Sequence, residues 1–238
     1  MGLLRELCRR ARAAWHAPRH WRLRPGTIDR RLFLAVVADD EYRLPRFSLA
    51  DTVLDLGAHT GSFALAALRR GAGRVVCCEP DPANFDLLRR NLAPYGERVR
   101  LRRAAAWPVA GTLRLGNPLD PRNTGAGRTR PEGAGLPVEA VAFDDLLVSL
   151  GRVRFAKLDC EGAEWPLLFA ARRLDLIEEL AGEYHLPPLA APWPDVEATL
   201  AALEARLGEA GFRTGFRGDA RSSLPVGLFA AKRPSGAG

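Results

Sequence analysis

Four carboxylates and a histidine sit where short apolar runs stop. Asp159, Glu161 and Glu164 fall in the string Lys157-Leu-Asp-Cys-Glu-Gly-Ala-Glu164, and Glu183 and His185 flank Tyr184. Residues two apart on a strand edge project the same way, so Asp159 and Glu161 can act on one polar acceptor, binding it or taking its proton. Asp159 is the first candidate for a general base and Glu161 the second. His185 is a third, because an imidazole exchanges protons near neutral pH, although a lone histidine is more often structural. Glu183 is assigned to substrate binding, while Glu164 serves equally well as a favourable charge at the start of the next helix. Asp159, Glu161, Glu183 and His185 can also be read as oxygen and nitrogen ligands of a metal. No ligand spacing demands one, and none is expected.

A second group lies in residues 51–81. Val53, Leu54 and Leu56 form an apolar run that stops at Gly57. A helical pattern begins after Gly61, and a second apolar run at 74–78 ends on Glu79, Pro80 and Asp81. This is a βαβ unit with glycines in its first turn and a carboxylate after its second strand. The glycines let the backbone turn sharply and a ligand approach it, the amides at the helix start face polar ligand groups, and Glu79 can accept from both hydroxyls of a ribose. The turn reads Asp55-Leu-Gly57-Ala-His59-Thr-Gly61 rather than GxGxxG, which makes a nicotinamide oxidoreductase the weakest reading.

That turn resembles motif I of the class I S-adenosylmethionine-dependent methyltransferases. Over roughly residues 40–184 the chain is similar to the FkbM family, in Val53-Leu-Asp-Leu-Gly-Ala-His-Thr-Gly61, Cys78-Glu-Pro-Asp-Pro-Ala-Asn84, Asn123-Thr-Gly125 and, most specifically, the string 157–164. The resemblance implies an α/β fold, a doubly wound, seven-stranded Rossmann-like sheet. It implies S-adenosyl-L-methionine as cofactor, with Asp55 near its amino-acid part, Gly57 and Gly61 admitting it, and Glu79 on the ribose. His59 would contact the cofactor or its neighbours, Pro80 and Ala105 are assigned to the cofactor, and Asp159 is also assigned to it, in the alternative role of holding its ammonium. Asn123 and Thr124 are assigned to the substrate. The implied reaction is methylation of a hydroxyl, or less readily an amine, of a small molecule or sugar in secondary metabolism or glycan modification.

The elements that must position these residues follow in order. Residues 1–46 read as a helical extension: Leu3, Leu4, Leu7 and Ala11 recur at helical spacing among Arg5, Arg9, Arg10 and Arg12, an amphipathic basic helix expected to cap the domain or cover the cofactor cleft rather than meet a membrane or partner. A second helix is expected over about 28–41. The methyltransferase domain is expected over 47–233. Its third strand spans 99–105, a hairpin pairs 111–115 with 138–141, and residues 116–135, rich in Gly, Pro, Asn and Arg, form a lid. Strand four covers 153–158, a helix 165–174, strand five 180–184, and a helix opening at Pro194-Asp195 runs to about 210. Strands at 212–216 and 226–231, joined by a loop at 218–225, complete the sheet, and 234–238 is read as a loose tail.

Composition narrows the alternatives. At 238 residues and 47% hydrophobic content the chain fits one α/β core, has no apolar run able to cross a bilayer and begins with charges where a leader needs an apolar stretch, so a cytoplasmic location is expected. Cys8, Cys77, Cys78 and Cys160 show no disulfide or metal spacing. The net charge of +7 permits an acidic partner, but no added RNA-binding signature accompanies it. An RNA methyltransferase and a non-catalytic cofactor-binding scaffold therefore rank behind a small-molecule enzyme, and no nucleic-acid partner is expected.

Overall fold

Thr52–Leu56 (β1) is buried along its whole length, as its apolar run requires of a central parallel strand. The computed structural model describes residues 2–218 and 225–234. In it β1 lies between Arg74–Cys78 (β2) and Phe155–Leu158 (β8), parallel to both. Val99–Arg102 (β3) extends the sheet beyond β2. Glu179–His185 (β9) follows β8 in parallel, and Val226–Lys232 (β11) is antiparallel to both β9 and Arg213–Gly218 (β10). The order β10-β11-β9-β8-β1-β2-β3 puts the topological switch between β1 and β8, where doubly wound sheets open a crevice at the carboxyl ends.

Helices cover both faces. Ser62–Arg69 (α3) and Pro82–Leu92 (α4) pack on the side of Val53, Val75 and Cys77, together with Trp21, Phe33, Leu34 and Leu44 of the N-terminal segment. Phe143–Leu150 (α5), Glu164–Ala170 (α6) and Leu200–Glu209 (α7) pack on the side of Leu54, Leu56 and Val76. At α4 the local chemistry follows the sequence: Pro82 opens the helix and the Asp81 side chain accepts the Asn84 amide at 2.8 Å, a cap that fixes where the helix begins.

The expected third strand ends early. After Arg102 the chain leaves the main sheet, and Ala105–Trp107 (β4) joins a second sheet with Gly111–Gly116 (β5), Arg128–Arg130 (β6) and Leu136–Ala142 (β7), in the order β4-β7-β5-β6. Arg102 and Arg103 are exposed while Trp107 is buried with Leu113, Leu115 and Val138, so a small separate core draws the strand away. The hairpin of β5 and β7 forms as read, but the expected lid is not wholly irregular, since β6 pairs with β5.

Three helix boundaries also differ. Helix α7 begins at Leu200, its Thr199 side chain accepting the Ala202 amide at 3.2 Å. Asp195 has φ +59°, the left-handed conformation rather than the extended one of a cap. The helix expected at 28–41 is Asp29–Phe33 (α2) followed by a π-turn at Leu34–Ala38. Helix α6 stops at Ala170, where the Asp144 carboxylate takes the amides of Arg172 and Arg173. The expected first helix is present as Gly2–His16 (α1). Most of the loop expected at 218–225, and the tail beyond 234, lie outside the described residues.

Candidate active site

A cavity of about 1070 Å³ opens above the carboxyl ends of β1, β2, β8 and β9. Of the residues singled out in the sequence, Gly57, His59, Glu79, Pro80, Ala105, Asn123, Thr124, Asp159, Glu161, Glu183 and His185 lie on its wall. Asp55 and Gly61 do not.

Asp55 has no exposed surface, so the expected position beside a cofactor's amino-acid part is corrected to one layer behind the wall. Burial raises its carboxyl pKa, opposed by Lys157, whose Nζ lies 3.4 Å from Asp55 Oδ1 and 3.5 Å from Asp159 Oδ2 and donates to the Gly57 carbonyl at 2.6 Å. Gly61, expected to admit a cofactor, instead lets α4 approach: with φ +94°, any Cβ would lie 2.9 Å from a methyl of Leu88. Gly57 has φ +75°, and a Cβ there would overlap the Asp159 carbonyl oxygen, so this glycine lets the ends of β1 and β8 meet.

Glu79 is buried at the cavity wall and accepts the amides of His59 at 2.7 Å and Asp81 at 3.0 Å. Burial raises its pKa to about 7 against those two hydrogen bonds. The Asn84 side-chain amide reaches Oε1 at 3.5 Å; a carboxylate has about four acceptor sites, so one remains, on Oε2, for a ligand's hydroxyl.

The His59 side chain is held away from the reacting end by residues the sequence reading did not assign. Its Nε2 lies 3.1 Å from Arg24 Nη2 and 2.9 Å from Thr124 Oγ1. Asp29, with no exposed surface, receives Arg24 through both carboxylate oxygens and the Thr124 hydroxyl at 2.7 Å. Asn84 closes the network, accepting from Arg24 at 2.7 Å and donating to the Thr124 carbonyl at 2.9 Å. The Thr124 hydroxyl, expected on substrate, is thus committed to a junction joining the N-terminal segment, the β1 turn, α4 and the lid.

Burial, which Asp29 partly opposes, lowers the His59 pKa to about 4. A base with a depressed native pKa contributes stability above its unfolded value of about 6.5 that is lost as pH falls. Between pH 6.5 and 5 the loss from this group is about 2 kcal/mol. His59→Asn, which tolerates the φ of +50° at this position, should therefore be less stable than wild type at pH 7, with the gap narrowing on acidification in chemical denaturation. A gap independent of pH would contradict this.

On the opposite wall the carboxylates gather. Tyr42, buried and distant in sequence, donates its hydroxyl to Asp159 Oδ2 at 3.0 Å. The turn after β8 is made by Glu161 at φ +55° and Gly162 at φ +107°, and Glu164 fastens it by accepting the amides of Cys160 and Gly162. A left-handed non-glycine residue stores strain, and here it turns Glu161 toward His185, 3.5 Å away. His185 also meets Glu164 at 3.3 Å and Glu183 at 3.7 Å. Burial alone would depress its pKa, but the charge of Glu164 and the hydrogen bonds to Glu161 and Glu164 carry it up to about 11.

These contacts favour the protonated form of His185, which weighs against its reading as a general base. Burial, and then the charge of Asp159, raise Glu183 to about 9; burial likewise raises Glu161, although its hydrogen bond to His185 opposes this. Among the described residues no group of three or more His, Cys, Asp or Glu is arranged to hold a metal ion.

A sheet in this order with its cavity at the switch point defines the class I Rossmann-like methyltransferase fold. A model described as the methyltransferase FkbM domain matches residues 55–214, and the chain belongs to that family. The chain is similar to the methyltransferase FkbM structure from Methylobacillus flagellatus KT, at 18% identity and TM-score 0.52, over 96% of this chain and 60% of that one. It is similar as well to an rRNA methylase structure from Streptococcus thermophilus, at 14% identity and TM-score 0.51, over 84% and 96% of the two chains. The ribosomal protein L11 methyltransferase of Pelobacter propionicus (strain DSM 2379 / NBRC 103807 / OttBd1) is 51% identical over 45 residues, which span 19% of this chain and only 15% of that protein. No helix among the described residues is long and apolar enough to cross a membrane.

Proposed function

We propose that this protein is an S-adenosylmethionine-dependent methyltransferase that methylates a hydroxyl group of a small molecule or sugar. The observation that carries the reading is the joint presence of Glu79, Gly57 and Asp159 around one cavity at the switch point of the sheet. The donor set fits the cofactor: Glu79 has an acceptor site left on Oε2 for a ribose hydroxyl, and Pro80 with the side-chain-poor run Ala104, Ala105 and Ala106 leaves room for a base. Asp55 acts from behind, by holding Lys157. When bound, the cofactor supplies a methyl group on a positively charged sulfur.

The chain's part is to orient the acceptor and take its proton. Asp159 would be the base, its carboxylate taking the proton of the acceptor hydroxyl as that oxygen receives the methyl group the cofactor would supply. Tyr42 and Lys157 hold that carboxylate in one orientation. Glu183, protonated at neutral pH, donates to a neighbouring acceptor oxygen, and Glu161, fixed by His185, accepts from another. This carboxylate wall suits a polyhydroxylated acceptor and disfavours the phosphates of a nucleic acid. A hydroxyl, unlike an already weakly held ammonium proton, needs such a base.

Glu79→Ala tests the cofactor half. A hydrogen bond to a charged group is worth roughly 1.5–3 kcal/mol, so loss of the ribose acceptor should weaken S-adenosylhomocysteine binding by roughly tenfold to a hundredfold in titration calorimetry. Glu79→Gln, which keeps one acceptor oxygen, should fall between. Affinity unchanged in Glu79→Ala would remove Glu79 from the site.

A further inference from the structure

The cavity is larger than one ligand needs. Pockets for a single small molecule measure roughly 300–1,000 Å³, and this one holds about 1070 Å³, so cofactor and acceptor can share it. Four arginines stand on its wall, Arg24, Arg31, Arg128 and Arg217. Two are committed: Arg24 to Asp29 and Asn84, and Arg217 to the Glu41 carbonyl at 2.8 Å. Arg128 is not. Its Nε is buried without a hydrogen-bond partner, and its guanidinium has no carboxylate partner among the described residues. A charged donor taken out of water and left unpaired costs its full desolvation, so this one is poised for a ligand rather than for the fold.

Arg128 opens β6, at the edge of the second sheet away from β4. Neighbouring strands lie about 4.8 Å apart, so the three intervals of that sheet carry Arg128 at least about 14 Å from Ala105, beyond the place given to the base. Arg31, exposed and also without a described side-chain partner, lies on α2, and the start of that helix touches the same loop. There the Ile28 amide donates to the Arg122 carbonyl at 3.0 Å, and Gly125 packs against Leu32. A guanidinium fork receives a phosphate or carboxylate through two parallel hydrogen bonds. Two such cations match the nearly double charge of a phosphate ester better than the single charge of a carboxylate.

We infer that the methyl acceptor is a phosphorylated sugar or polyol, whose hydroxyls meet the carboxylate wall and whose phosphate is received by Arg128, with Arg31 as the outer cation. The inference rests on the methyltransferase reading and adds the class of its substrate. Charge is divided within the cavity, carboxylates at the ends of β8 and β9 and free guanidinium groups on the cover. A molecule with its phosphate at one end fits that division. A nucleic acid does not, because it carries a phosphate on either side of each ribose and would press one against Asp159, Glu161 and Glu183.

The test is titration calorimetry of the full chain with inorganic phosphate and with acetate, at constant ionic strength, with and without saturating S-adenosylhomocysteine. Saturable phosphate binding is expected, with acetate at least tenfold weaker. Arg128→Gln should weaken phosphate binding by roughly tenfold to a hundredfold, Arg128→Lys should recover only part of it, and Arg31→Gln should cost roughly twofold to fivefold. Arg114→Gln, an exposed position on β5 outside the cavity, should cost nothing. S-adenosylhomocysteine affinity should stay within about threefold of wild type in all four. Four results overturn the inference: no saturable phosphate binding; binding that Arg128→Gln leaves unchanged or that Arg114→Gln weakens equally; acetate binding as tight as phosphate; or a loss of S-adenosylhomocysteine affinity in Arg128→Gln, which would give this guanidinium to the cofactor's carboxylate. A wild-type chain that binds phosphate through Arg128 but no S-adenosylhomocysteine would fail the cofactor reading and leave the anion site standing.

Discussion

Lys157→Met is expected to destabilise the protein by about 3–5 kcal/mol, the cost of leaving one member of a buried ion pair without its partner. Lys157 Nζ is the counter-charge of Asp55, which has no exposed surface, and of Asp159, and it also ties down the Gly57 carbonyl. Neither Asp55 oxygen receives a hydrogen bond of good geometry from the described residues, so the ammonium is what makes the carboxylate tolerable there. Folding stabilities are typically about 5–15 kcal/mol, so the variant should denature at much lower urea. Its deficit has a pH signature. Without Lys157 the native state keeps Asp55 protonated while the unfolded chain ionises it above about pH 3.9. The penalty therefore grows as pH rises from that value and vanishes below it. Adding Asp55→Asn should restore much of the loss at neutral pH. Urea midpoints within experimental error of wild type at pH 7 would contradict the account of this layer.

Asp159→Asn should lower turnover by roughly 10²- to 10⁴-fold, the range for removing a positioned general base, with S-adenosylhomocysteine affinity within about threefold of wild type. The asparagine can still accept the Tyr42 hydroxyl, which separates loss of a base from loss of a scaffold. A polyol or sugar panel supplies the acceptor for the assay. Turnover at the wild-type rate would remove the catalytic role. A loss confined to cofactor affinity would instead make Asp159 the residue that holds the cofactor's ammonium. By contrast, His185→Gln should act through position, because its imidazolium fastens Glu161 and Glu164.

The layout of the βαβ unit was legible because each step is local. An apolar run, a turn that only glycine permits at Gly57, and the Asp81-Pro82 cap specify strand, turn and helix within a few residues. The carboxylates at 159, 161 and 183 were legible for the same reason, each ending an apolar run. Contacts across the chain were not. Tyr42 reaches Asp159 over 117 positions, and Thr124 reaches Asp29 over 95; no periodicity encodes such pairs. The protonation of His185 depends on two carboxylates, Glu164 of α6 and Glu161 of the turn before it, which only the fold brings to β9. One missed residue did leave a signal: Lys157 is one of two lysines in the chain and stands inside the otherwise apolar Phe155-Ala156-Lys157-Leu158, where a cation needs a buried partner. The early end of the third strand had no such marker, because Ala104, Ala105 and Ala106 fit either sheet.

The lid reading gains a physical basis from the junction at His59. The Ile28 amide donates to the Arg122 carbonyl at 3.0 Å, and Thr124 and Gly125 rest on the N-terminal segment. The segment before β1 and the loop after β5 therefore form one cover over the cavity.

The central claim is that this cavity binds S-adenosylmethionine, and titration calorimetry of the full chain with S-adenosylmethionine, S-adenosylhomocysteine and NAD tests it most directly. The account predicts saturable one-site binding of the first two, lost or strongly weakened in Glu79→Ala, and no heat with NAD. Binding of NAD, or of none of the three by a folded protein, would contradict it.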